Sequence, residues 1–113
     1  MNVIQDDIRD AIEKELCGAN ERFPLFASLH EAIAVIAEEM DEAADEMVNV
    51  HHLWQAAWKC VKGDSSEVLD NITKMKFAAE CLAIEACQVA AMCEKAVQSA
   101  AKWNDEGKMQ RDG

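Results

Sequence analysis

The sequence has no tyrosine, one proline, four glycines, three phenylalanines and three tryptophans in 113 residues. Half of its residues are nonetheless hydrophobic, many of them alanine, so a core has to come from close packing of helix on helix. Basic residues are also scarce. Eleven Lys and Arg face 22 Asp and Glu, a formal net charge of −11. That balance argues against DNA or RNA as a partner, because a phosphate backbone needs clustered cations, and against an anionic membrane surface. An anionic substrate stays compatible only where metal ions neutralise it locally. No stretch is apolar for the length of a membrane span. Met1 to Asp10 carries acids and no apolar core of a signal peptide. The five cysteines are odd in number and form no CxxC pair, which points to reduced thiols in a cytoplasmic protein. There is no Gly-rich phosphate loop, no zinc spacing and no Ser/His/Asp arrangement.

What is present is helical periodicity. From Ser28 to Val61 there is neither Gly nor Pro, and apolar residues fall at Ile33, Ile36, Met40, Ala43, Met47, Val50, Trp54, Ala57 and Val61. Those alternating steps of three and four make a heptad seam with Ile33 at a and Ile36 at d. Ser28 and Glu31 fit a capping box, and Gly63 is placed to end the helix. A second long helix restarts at Asp64 to Glu67, with a seam at Val68, Ile72, Met75, Ala79, Leu82, Ala86, Val89, Cys93, Ala96, Ala100 and Trp103. A shorter first helix covers about Val3 to Leu16, with Gly18 and Asn20 as terminators, and Pro24 holds Phe23 out of helical geometry. Residues 105–113 are polar and expected to fray.

The expected fold is all-α: one domain over residues 1–113, a long antiparallel helical hairpin preceded by a short N-terminal helix. Pairing Val61 with Val68 sets a register in which Met40 faces Val89, Trp54 faces Met75 and Trp103 reaches Phe26. One hairpin cannot cover seams of this length. A homodimer or homotetramer, a bundle of four-helix type, is the expected remedy.

The hairpin is organised around the acidic stretch Glu38 to Glu46. Glu39, Glu42 and Glu46 lie three and four residues apart on the margin of the seam, where like charges repel and ask for a counter-ion. The plainer alternative is a solvated acidic face. The hairpin register brings Glu85 and Gln88 to the level of Glu39 and Glu42, in matching heptad positions. Oxygen-bearing side chains paired on facing helices suit a hard divalent cation such as Mg2+.

Leu29-His30-Glu31-Ala32 running into Ile36-Ala37-Glu38-Glu39-Met40-Asp41-Glu42 resembles the first acidic motif of MazG-like, all-α nucleoside triphosphate pyrophosphohydrolases. Glu85-Ala86-Cys87-Gln88-Val89-Ala90-Ala91-Met92 resembles the second motif of one phage and bacterial branch. The resemblance covers about Phe23 to Val97. It implies Mg2+-dependent hydrolysis of a nucleoside or deoxynucleoside triphosphate to monophosphate and pyrophosphate. Glu39, Glu42 and Glu85 would be catalytic carboxylates and, with Glu38 and Gln88, the metal ligands. Gln88 stands where the family usually has Asp. Its amide oxygen can ligate Mg2+ but brings no charge and cannot act as a base. Glu46 and Glu80 are possible substitutes.

Weaker candidates for substrate contact are His30, Lys76 and Trp58. Lys74, Lys102, Lys108 and Arg111 carry no discriminating motif, and an ordinary solvated charge is the simpler reading of each. His51 and His52 are adjacent and point to different sides, a poor ligand geometry. The competing function is a catalytically degenerate bundle that binds another protein through its hairpin, and Gln88 is the feature that favours it.

Overall fold

The computed structural model describes residues 2–22 and 24–107. Three helices follow one another: α1, Asn2–Arg22; α2, Leu29–Lys62; α3, Val68–Asp105. α2 and α3 pack antiparallel, as the seams require. No described helix is long and apolar enough to cross a membrane.

α2 starts where its cap predicts. The Glu31 amide donates to the Ser28 hydroxyl at 3.1 Å, and the Ala32 amide to the Ser28 carbonyl. The helix then runs unbroken through Val48 to His52, about 51 Å for 34 residues. At its end the Gly63 amide reaches the Lys59 carbonyl and the Ser65 amide the Cys60 carbonyl, at 3.0 and 2.9 Å. The left-handed residue of this turn is Asp64, with φ 55°, not Gly63; a short polar side chain tolerates that conformation. Ser65 accepts the Glu67 amide at 3.2 Å, so a capped turn precedes α3, which begins at Val68 rather than in the Asp64–Glu67 segment.

α1 departs from expectation. It does not stop near Leu16 but continues through Gly18 and Asn20 to Arg22. Glycine in a helix interior costs only about 0.5–1 kcal/mol relative to alanine, which the surrounding turns absorb. The Arg22 Nε donates to the Gly18 carbonyl at 3.2 Å, spanning the weak turn. Phe23, expected to leave helical geometry, lies outside the described residues, as do Lys108, Arg111 and the end of the polar tail.

The chain groups into two compact units: residues 1–40 with 87–113, and residues 41–86. In the first, Leu16 of α1, Phe26, Ala32 of α2 and Ala91 of α3 are buried. Fully buried Ser99 accepts the Phe26 amide at 3.0 Å and donates to the Lys95 carbonyl at 2.7 Å, fastening the 24–28 segment to α3. Phe26 thus meets Ser99 and Lys95. The segment leaves the line of α2 and lies over α3. In the second unit Ala57 and Ala78 are buried, and the Asn71 side-chain amide donates to the Cys60 sulfur at 3.4 Å beside the turn.

The faces that meet differ from the predicted seams in one systematic way. The d residues Ile36, Ala43, Val50 and Ala57 of α2, and Val68, Met75, Leu82, Val89, Ala96 and Trp103 of α3, are covered as expected. The a residues Ile33, Met40, Met47, Trp54 and Val61 of α2, and Ile72, Ala79, Ala86 and Cys93 of α3, are exposed. The positions just before them are covered instead: Ala32, Glu39, Glu46, Leu53 and Cys60, and Asn71, Ala78, Glu85 and Met92; near the end of α3 the a residue Ala100 is itself half-buried, beside buried Ser99. Several of these are small, and small residues let two helices approach closely. The larger a side chains are turned aside. Cys93, expected in the core, is therefore a surface thiol.

Candidate metal and ligand site

The same rotation puts carboxylates where helices meet. Glu39 and Glu85 both stand just before an exposed a residue, so both turn inward and are half-buried, while Glu42, one turn on from Glu39 along α2, is exposed. One oxygen from each of Glu39, Glu42 and Glu85 lies within 4.8 Å of the other two. The Oε2 atoms of Glu39 and Glu85 are shielded from water. Shielding strengthens the mutual repulsion of carboxylates and equally their attraction for a cation. Two oxygens on one octahedral Mg2+ at about 2.1 Å stand roughly 3–4 Å apart, so small side-chain rotations would close the trio on such an ion. The donor set is all oxygen, which suits Mg2+ or Ca2+ and not a thiolate-seeking metal.

The 1–40/87–113 unit contains an adjoining groove of about 520 Å³. Glu38, Glu39 and Gln88 line it, together with Val35, Ala91, Met92, Pro24 and Phe26, with the cations Arg22 and Lys95, and with the carboxylates Glu15 and Glu31. Glu38 and Gln88 therefore share a cavity with Glu39, although neither belongs to the carboxylate trio. Glu46 is half-buried on the next turn of α2 after Glu42, and Glu80 is held by Lys76 at 3.8 Å on an exposed face of α3.

The weaker candidates fall elsewhere. Lys76 is engaged with Glu80 and precedes Glu85 by nine residues, about 13 Å of helix. Trp58 is about 24 Å along α2 from Glu42; it stacks on Trp54, with ring centroids 6.3 Å apart and planes 5° from parallel, under the Lys62 ammonium. His30 is exposed, two turns and more from Glu39, and is absent from the groove lining. Lys74 pairs with Asp70 at 3.2 Å.

Two cationic residues of the groove escaped the sequence reading, Lys95 and Arg22. Lys95 is only 3% exposed, and its ammonium sits 4.9 Å from the centroid of the Phe26 ring. The signal the sequence holds for it is its heptad level, seven residues after Gln88 on the same face of α3. No family model, no curated protein and no solved structure matches the chain.

Proposed function

We propose that the protein is a Mg2+-dependent nucleotide pyrophosphohydrolase, cleaving a nucleoside or deoxynucleoside triphosphate to the monophosphate and pyrophosphate. The observation that carries this reading is the convergence of Glu39, Glu42 and Glu85 within 4.8 Å. These are the residues that the resemblance to the MazG-like group assigns to metal. Phosphoryl transfer needs positioning and charge neutralisation more than covalent chemistry, which three carboxylates and a mixed-charge groove can provide. Bound at the trio, Mg2+ would neutralise phosphate charge and activate a water for attack. The chain's own contribution is to hold the metal with Glu39, Glu42 and Glu85, to offer the Gln88 amide at the groove, and to seat the organic part of the substrate against Val35 and Met92. The substitution of Gln for Asp at position 88 lowers the negative charge of the set and with it the expected metal affinity.

The hairpin is also proposed to assemble with a second copy of itself, as a homodimer or homotetramer. Ile33, Met40, Met47, Trp54 and Val61 form a continuous exposed apolar row on α2, and Ile33 is 65% exposed. A row with heptad spacing is what a further helix of the same kind packs against. The same row supports the second functional reading, a degenerate bundle serving as a protein interaction module. Thermal melting under Mg2+ titration separates the two: the hydrolase is stabilised by Mg2+ in the wild type and much less in Glu42→Gln, whereas the interaction module responds equally in both.

A further inference from the structure

Lys95 is buried in the 1–40/87–113 unit, yet it lines the groove that Glu39 and Gln88 line. A buried ammonium is unfavourable unless its charge and its N–H donors are compensated. The face of Phe26 attracts the charge but accepts no strong hydrogen bond. The surroundings hold the side chain in place: Ser99 ties the Lys95 carbonyl to the Phe26 amide, so ring and ammonium are positioned by one hydroxyl.

Gln88, Met92 and Lys95 rise along one face of α3, with Gln88 and Lys95 about 10 Å apart along the axis. Along α3 the groove runs from Gln88, which lines it with Glu38 and Glu39, past Ala91 and Met92 to Lys95, and Glu15, Glu31, Val35 and Arg22 also line it. A bare cation would be served by the carboxylates alone, and a simple anion would be repelled by them. A ligand that joins a metal-bound oxyanion to a second anionic group satisfies both the carboxylates and Lys95.

We infer that Lys95 is an anion-binding residue, and that its ammonium holds a phosphate oxygen of a polyphosphate ligand lying along this groove. The assignment rests on the nucleotide reading for the identity of the ligand, but the binding of phosphate at Lys95 is testable without turnover.

The test is calorimetric titration of inorganic pyrophosphate and of each common nucleoside triphosphate, with Mg2+ and with EDTA. The proteins are the wild type, Lys95→Met, Lys95→Arg and Glu42→Gln. Methionine keeps the length and apolar stem of lysine over Phe26, and melting curves establish that each variant is folded. The expected result is pyrophosphate binding by the wild type, at least tenfold weaker in Lys95→Met and largely restored in Lys95→Arg. Glu42→Gln should lose the Mg2+ enhancement while keeping the Lys95-dependent part. Should Mg2+ make no difference anywhere while Lys95→Met still abolishes binding, the metal site is wrong and the Lys95 assignment stands. Equal binding by folded Lys95→Met and wild type overturns it. So does the absence of binding to any of these phosphates in the wild type, which would make Lys95 a packing residue beneath Phe26.

Discussion

Replacing Ser99 by alanine removes one oxygen from the interior and tests how the groove is built. The hydroxyl is fully buried, accepts the Phe26 amide at 3.0 Å and donates to the Lys95 carbonyl at 2.7 Å. Alanine adds no bulk and keeps α3 helical, so propensity and packing change little. The carbonyl of Lys95 belongs to an α3 turn and retains its place there. The Phe26 amide has no such recourse, since it lies outside any helix. Leaving a buried amide without an acceptor costs about 1–3 kcal/mol. At roughly 4 °C per kcal/mol for a chain of this size, Tm should fall by about 4–12 °C. The loss should be local as well as global. Hydrogen exchange at the Phe26 amide should accelerate more than at amides in the middle of α2, because the 24–28 segment is released before the hairpin opens. Melting at fixed protein concentration and amide exchange are sufficient. A Tm within 1 °C of the wild type, with unchanged exchange at Phe26, would refute the role given to Ser99 as the fastener of this wall.

Other outcomes follow from the same geometry. Glu39→Gln should raise Tm in EDTA by relieving repulsion within the trio and should reduce the Mg2+-induced rise; a variant that loses stability and still responds fully to Mg2+ would show Glu39 to be structural. Gln88→Asp should lower Tm in EDTA, recover it with Mg2+, and match or exceed the wild type in triphosphate hydrolysis; losing activity while binding Mg2+ more tightly would contradict the assigned position. Gly18→Ala should stabilise α1 by about 0.5–1 kcal/mol, because the added Cβ meets nothing closer than the Arg22 guanidinium at 3.7 Å, and chemical denaturation reads this directly. Trp54→Glu, in the exposed row of α2, should shift light scattering towards monomer with helical circular dichroism retained; an unchanged mass would move the interface elsewhere.

The sequence made α2 legible almost to the residue, because Ser28 and Glu31 cap it and nothing in the run to Lys62 interrupts it. The d residues of both long helices were equally readable. The a residues were not, since hydrophobicity alone assigns Met47 or Trp54 to a core and cannot say which neighbour covers it. Close contact went instead to rows containing Ala32, Ala78 and Ser99, whose small size matters more than their polarity. That displacement also carries Glu39 and Glu85 inward, so the pair of motifs was found by spacing while the reason for their meeting was a rotation of both helices. Gly18 misled because a single glycine is a weak punctuator within a helix otherwise free to continue. For Lys95 the sequence carried only its heptad level with Gln88; its burial depends on Phe26 lying over α3, a tertiary event with no local signature.

The glutamate trio is proposed to bind metal for triphosphate cleavage. The most direct measurement is pyrophosphate release from a panel of nucleoside and deoxynucleoside triphosphates, with Mg2+ or EDTA, for wild type and Glu42→Gln. The expected result is pyrophosphate and monophosphate in equal amounts from at least one substrate, abolished by EDTA and reduced by tenfold or more in Glu42→Gln. Contradiction would be the absence of pyrophosphate from every substrate, or release that persists undiminished in EDTA and in Glu42→Gln.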